Sequence, residues 1–81
     1  MDSKVIIDFL TPHIGQEGRY SLATTGVLFP LGGEGRLVDV ALRDDGLLQV
    51  TGEEGALLVE PERVFAVAWD GKPGSKSGQY L

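Results

Sequence analysis

The one strong candidate for a general base in this chain of 81 residues is its single histidine, His13. To act as a base it needs a hydroxyl or thiol within hydrogen-bonding reach and, as a rule, a carboxylate that orients its ring. Thr11, Ser21, Asp8 and Glu17 are its neighbours in sequence. None stands at a spacing that defines a catalytic set, and His13 reads as a surface or turn histidine. Cysteine is absent, which removes thiolate nucleophiles, thiolate metal ligands and disulfides together. A single histidine leaves a zinc site short of donors. The acidic pairs Asp44-Asp45 and Glu53-Glu54 flank glycines. A calcium loop would need alternating carboxylates, a central glycine and a distal glutamate, which neither pair has. Carboxylates working on a glycosidic bond would need a substrate cleft that so small a chain rarely builds. Both pairs read as solvated turns.

Two glycine-containing stretches invite comparison with phosphate-binding loops. Gly71-Lys72-Pro73-Gly74-Ser75-Lys76-Ser77 begins as G-x-x-x-x-G-K-[ST] does, but Lys76 stands where the second glycine belongs. Too little sequence follows for the helix that would carry the phosphate. Gly32-Gly33-Glu34-Gly35 has no βαβ unit after it and reads as a flexible connection between strands. No catalytic residue, metal ligand or cofactor site emerges, and a non-enzymatic protein is expected.

Binding surfaces are the remaining chemistry. Tyr20, Phe29, Phe65 and Trp69 could stack bases of a single strand if lysines and arginines were interleaved with them. Lys72 is the one basic residue close to Trp69 in sequence, so these aromatics are assigned to core or interface packing. Arg19, Arg36, Arg43 and Arg63 would serve as nucleic-acid contacts if they gathered on one face. The formal net charge is −5, and residues 1–70 carry five basic against twelve acidic side chains, a balance of −7. On average that surface repels phosphates, which argues against nucleic acid as the partner.

The length allows one domain, placed at residues 1–70, with a Gly/Ser/Lys/Pro-rich tail at 71–81. A chain this short buries roughly 60–65% of the surface its unfolded form exposes, so its core is small. With disulfides and zinc removed, self-association is the reinforcement left by elimination. No apolar run approaches the roughly 18–20 residues that span a bilayer, and a cytoplasmic protein is expected.

Arg36–Trp69 organises the rest. It holds four apolar runs separated by Asp44-Asp45-Gly46, Gly52-Glu53-Glu54-Gly55 and Pro61-Glu62-Arg63, the pattern of short antiparallel strands. In the first run Val38, Val40 and Leu42 alternate with Asp39, Ala41 and Arg43. Leu47–Thr51 and Ala56–Glu60 form a hairpin, and Pro61-Glu62-Arg63 reads as one turn of 3₁₀ helix. The last run, Val64–Trp69, is apolar on both faces, with Phe65, Val67 and Trp69 on one and Val64, Ala66 and Ala68 on the other. Such a strand lies within a closed structure or under a partner. Upstream, Arg19–Thr24 alternates as a half-buried strand, and Val27-Leu28-Phe29 is a brief apolar run stopped by Pro30. Residues 3–10 fit a short helix with Ser3 as N-cap and Val5, Ile6, Phe9 and Leu10 on one face, and Lys4–Leu10 also fits a strand.

Gly33-Glu34-Gly35-Arg36-Leu37-Val38-Asp39-Val40, then Asp45-Gly46, then Leu58-Val59-Glu60-Pro61-Glu62-Arg63-Val64 resembles PRC-barrel domains, in which a G-x-V-x-D-V strand precedes a hairpin and a VP-x-x-x-V segment leads into a closing strand. The likeness spans about residues 33–71. It implies a non-enzymatic β-barrel of the kind found in ribosome-maturation factors and photosynthetic reaction-centre subunits, contacting proteins or RNA–protein surfaces. The chain is also similar to Sm-like and SH3-like small barrels in placing a short helix before a bent sheet, although Ala41 stands where an Sm-like chain carries aspartate and Pro61-Glu62-Arg63-Val64 lacks the Arg-Gly step.

The expected fold is thus mainly β, a small SH3-like or PRC-like antiparallel barrel of five or six short strands with a short N-terminal helix. The expected function is protein interaction, including self-association, through Val64, Phe65, Val67 and Trp69, with Tyr20 and Phe29 contributing. RNA or other nucleic-acid binding through the four arginines is the alternative. No cofactor, metal or small-molecule substrate is implied.

Overall fold

The computed structural model describes residues 1–71. The chain is mainly β: a short helix, α1 (Ser3–Leu10), and a 3₁₀ turn (Thr11–His13) precede β1 (Glu17–Thr24), β2 (Leu31–Leu42), β3 (Leu48–Gly52) and β4 (Gly55–Val59). A second 3₁₀ turn (Pro61–Arg63) leads into β5 (Val64–Gly71). The strands form one antiparallel sheet in the order β4-β3-β2-β1-β5. Five strands and the helix match the expectation, but the sheet does not close on itself: β4 and β5 are its two edges. The expected tail lies outside the described residues except for Gly71, which belongs to β5.

Residues 3–10 are helical rather than extended, and the cap is Asp2, not Ser3. Asp2 is extended (φ −61°, ψ 135°), and its carboxylate accepts from the Lys4 amide at 2.9 Å. A carboxylate there also suits the positive end of the helix dipole. The helix stops before Pro12, as the proline requires. Of the expected face only Ile6 and Leu10, one turn apart, are buried, while Val5 and Phe9 are exposed. Ile6 and Leu10 enter a single core with Tyr20, Leu22, Leu37, Val40, Leu48, Val50, Val59 and Val64. The Met1 amino group donates to the carbonyls of Pro61 (3.0 Å) and Val64 (2.7 Å), tying the start of α1 to the start of β5.

The largest departure from expectation is Leu31–Gly35, which is strand rather than a flexible connection. Glycine permits it. A Cβ at Gly32 would lie 2.0 Å from the Tyr20 carbonyl oxygen, and one at Gly33 would lie 3.3 Å from the Tyr20 ring. In a strand interior glycine marks a close approach, and here β2 pairs closely with β1 while the Tyr20 ring lies against Gly33. Over Leu31–Arg36 β2 pairs with β1, and over Leu37–Leu42 it pairs with β3. Gly35, at φ +113°, takes the left-handed geometry just before the change of partner.

Two bulges invert the alternation read from sequence. In β2 the register passes from Leu37↔Gly52 to Asp39↔Thr51, leaving Val38 without an opposite residue. Leu37 and Val40 therefore point inward and Val38 outward. In β5 the register passes from Thr24↔Val64 to Ala23↔Ala66, leaving Phe65 unpaired. Val64 is buried, Val67 and Trp69 are partly buried against the core, and Phe65 faces out with Ala66 and Ala68. Val27-Leu28-Phe29 is an exposed bend rather than a strand.

Candidate functional site: the open edge at β5

β5 lies beside β1 and has no strand on its other side among the described residues. Its outward residues form a flat, short-side-chain surface, because Ala66 sits opposite Ala23, Ala68 opposite Ser21, and Ser21 opposite Gly32. Phe65 rises from one end of this surface and is 64% exposed. The β1–β2 loop stands at the same end, held there by the Thr25 amide donating to the Arg63 carbonyl at 2.9 Å. That loop presents Leu28 and Phe29, which are 87% and 73% exposed.

The residues named from sequence thus divide. Phe65 and Phe29 are surface residues at one end of the sheet. Val64 and Tyr20 are core, and Val67 and Trp69 line the inner side of β5. Within Val64–Trp69 the exposed residues besides Phe65 are Ala66 and Ala68, so the strand carries less apolar surface than the run of six apolar residues suggests. Leu28 was not singled out from sequence, because a bend exposes what a strand would half bury.

Trp69 has a different partner from the one expected of an interface aromatic. Its indole stacks on the imidazole of His13, with centroids 4.7 Å apart and planes 13° from parallel, and Phe9 lies 6.2 Å from the same imidazole at a tilt. Gly18 makes room, since a Cβ there would come within 2.6 Å of the indole. His13 Nδ1 lies 3.2 Å from the Gln16 side-chain oxygen. The Thr11 hydroxyl donates to the Ile7 carbonyl at 2.6 Å rather than to the ring, and Ser21 is on the outer face of β1. The structure therefore places His13 in an aromatic stack and brings neither of its candidate hydroxyls to it.

Each of the four arginines meets a carboxylate. Arg19 pairs with Glu34 at 3.2 Å, Arg36 with Glu17 at 3.6 Å, Arg43 with Asp45 at 3.0 Å, and Arg63 with Glu60. Glu17 and Arg36 face each other across β1 and β2, as do Arg19 and Glu34, so the signs alternate along the ladder. The acidic turns have local work. Asp45 accepts from the Leu47 amide at 3.1 Å, and Glu53 accepts from the Arg36 amide at 3.0 Å. Among the described residues no group of three His, Asp or Glu side chains could hold a metal ion, and no helix is long and apolar enough to cross a membrane. Tyr20 is the buried titratable group: burial raises its phenol above the ordinary tyrosine range.

A scan against protein-family models and searches of curated proteins and of solved structures found no match to this chain.

Proposed function

We propose that this protein is a non-enzymatic interaction module, a small incomplete barrel that associates with a second copy of itself through the free edge of β5. The observation that carries the reading is the exposed Phe65 on a strand whose outer edge has no neighbouring strand among the described residues. Unpaired strand edges are templates for another strand, and natural proteins protect those that must stay alone with charge or proline. Between Phe65 and Trp69, β5 has neither. Covering Phe65 contributes roughly 2 kcal/mol before ordering costs.

Charge selects β5 over β4. β4 is bracketed by Glu53 and Glu54 at one end and by Glu60 and Glu62 at the other, so two β4 edges would bring like charges together. β5 follows Arg63 and carries Asp70 near its end. Antiparallel pairing of two β5 strands sets each Arg63 towards the partner's Asp70 end, twice by symmetry. An eight-residue edge makes a small interface, and a dissociation constant on the order of 100 μM is expected.

The resemblance of residues 33–71 to PRC-barrel domains supports a role in contacting proteins, and the cysteine-free composition supports a cytoplasmic setting. The test is sedimentation equilibrium on the wild type and on Phe65→Glu. A monomer–dimer equilibrium that the substitution weakens at least tenfold supports the reading, and a wild type that stays monomeric defeats it.

A further inference from the structure

A second opening lies at the other side of the sheet, where β2 changes partner. Over Leu31–Gly35 the edge of β2 facing away from β1 has no neighbouring strand among the described residues, because pairing with β3 begins only at Leu37. The β3–β4 hairpin turns back at Gly52 and Gly55 and leaves a cleft of about 380 Å³ between itself and β2. Its walls include Gly33, Gly52, Gly55 and Leu57, with Glu54 among the lining residues and Tyr20 reaching in from β1.

Tyr20 is 7% exposed, and its ring crosses Gly33 so closely that a Cβ there would lie 3.4 Å from the phenol oxygen. The hydroxyl therefore reaches past β1 and over β2 towards the cleft. It makes no hydrogen bond among the described residues, and it is not enclosed either: Thr24 Oγ1 is the sealed, unpartnered side-chain atom. A phenol this deeply set ordinarily finds a partner, and the open direction is the cleft.

We propose that this cleft binds an extended polypeptide segment carrying a lysine or arginine, added as a strand to the free edge of Leu31–Gly35. Glycines at 32 and 33 carry no side chain to screen that stretch of the edge, whose backbone groups are what strand addition uses for affinity, and the Glu53 side chain closes its far end against Gly35. Leu57 supplies an apolar contact and the Tyr20 hydroxyl a donor or acceptor. The rim sets the sign of the ligand: Glu34 is matched by Arg19, whereas Glu54 has no ion pair among the described residues. A cationic side chain at the mouth is thereby favoured over an anionic one. A compact small molecule fits the site less well, since the walls are mostly backbone rather than the aromatic side chains that enclose such ligands.

The test is an amide-resolved NMR titration of the full chain, at fixed protein concentration, with blocked seven-residue peptides that alternate valine with lysine, serine or glutamate. The lysine peptide is expected to saturate with a dissociation constant below about 1 mM and to shift the amides of Gly32, Gly33, Gly35, Gly52 and Gly55, the glutamate peptide binding at least tenfold more weakly. Gly55→Leu supplies the control that folds, because nothing lies within 4 Å of a Cβ added there. It fills the mouth of the cleft and should weaken the lysine peptide at least tenfold with an unchanged fold. Glu54→Lys should remove the preference for lysine over serine. Equal binding of the three peptides, shifts spread over the acidic surface or centred on β5, or full binding by Gly55→Leu would each overturn the proposal. Pairing of two copies through the β5 edge is read separately, by sedimentation of the chain without peptide.

Discussion

Replacing Gly32 and Gly55 one at a time by alanine separates two roles that glycine plays in this fold, and the two changes should move stability in opposite directions. At Gly32 an added Cβ would lie 2.0 Å from the Tyr20 carbonyl oxygen and 3.0 Å from the Ser21 Cα, both backbone atoms that no rotamer change can move. To restore an ordinary contact β1 and β2 must separate by about 1.4 Å, which stretches ladder hydrogen bonds along Leu31–Arg36 and lifts the Tyr20 ring from β2. Overpacking of this kind costs typically 1–3 kcal/mol, and a domain of this size loses about 4–8 °C of melting temperature per kcal/mol. At Gly55 nothing lies within 4 Å of the added Cβ and φ is not in the left-handed region. There alanine narrows the unfolded ensemble and should stabilise by about 0.4–1 kcal/mol. The assay is urea unfolding at neutral pH followed by circular dichroism, with thermal melts as a check. The expected result is a midpoint lowered for Gly32→Ala and raised for Gly55→Ala, each with an unchanged m-value. Equal effects would show that Leu31–Gly35 is a loose connection after all and would refute the close pairing of β1 and β2.

Further expectations concern the core. Thr24 is 4% exposed and its hydroxyl has no partner among the described residues, so Thr24→Val should stabilise by about 1 kcal/mol in the same urea assay; destabilisation would mean that the hydroxyl is satisfied. Burial raises the Tyr20 phenol above its unfolded value, so the neutral ring contributes stability that is full below the ordinary tyrosine range and is lost as pH climbs through the raised folded value. Urea midpoints measured upward from pH 9 should therefore fall less steeply for Tyr20→Phe than for the wild type, and parallel curves would place the phenol in water.

Much of this fold is legible in the sequence because local chemistry and tertiary packing agree. The Asp44-Asp45-Gly46 turn, with Gly46 at φ +86°, and the 3₁₀ turn at Pro61–Arg63 fall where their residues place them. What was hidden shares a physical cause. A period of two carries a strand's facing only until a residue is inserted, and the bulges at Val38 and Phe65 each reverse the phase. No local residue pattern announces them. Gly32-Gly33-Glu34-Gly35 reads as a loop because glycine is costly in a strand, and only the neighbouring Tyr20 backbone and ring, a dozen residues away, explain why it is needed. The stack of Trp69 on His13 was equally invisible, since it joins residues 56 positions apart in sequence. Of the aromatic residues named from sequence, Phe29 and Phe65 are exposed, and the exposure of Leu28 depends on the bend that carries it.

Self-association through β5 is tested most directly by sedimentation equilibrium of the wild-type chain from about 10 μM to about 1 mM, a range that brackets the expected dissociation constant. The account predicts a monomer–dimer equilibrium with a midpoint on the order of 100 μM, shifted at least tenfold by Phe65→Glu and left in place by Gly55→Leu. A single monomeric species across the whole range, or a dimer indifferent to Phe65→Glu, would contradict it.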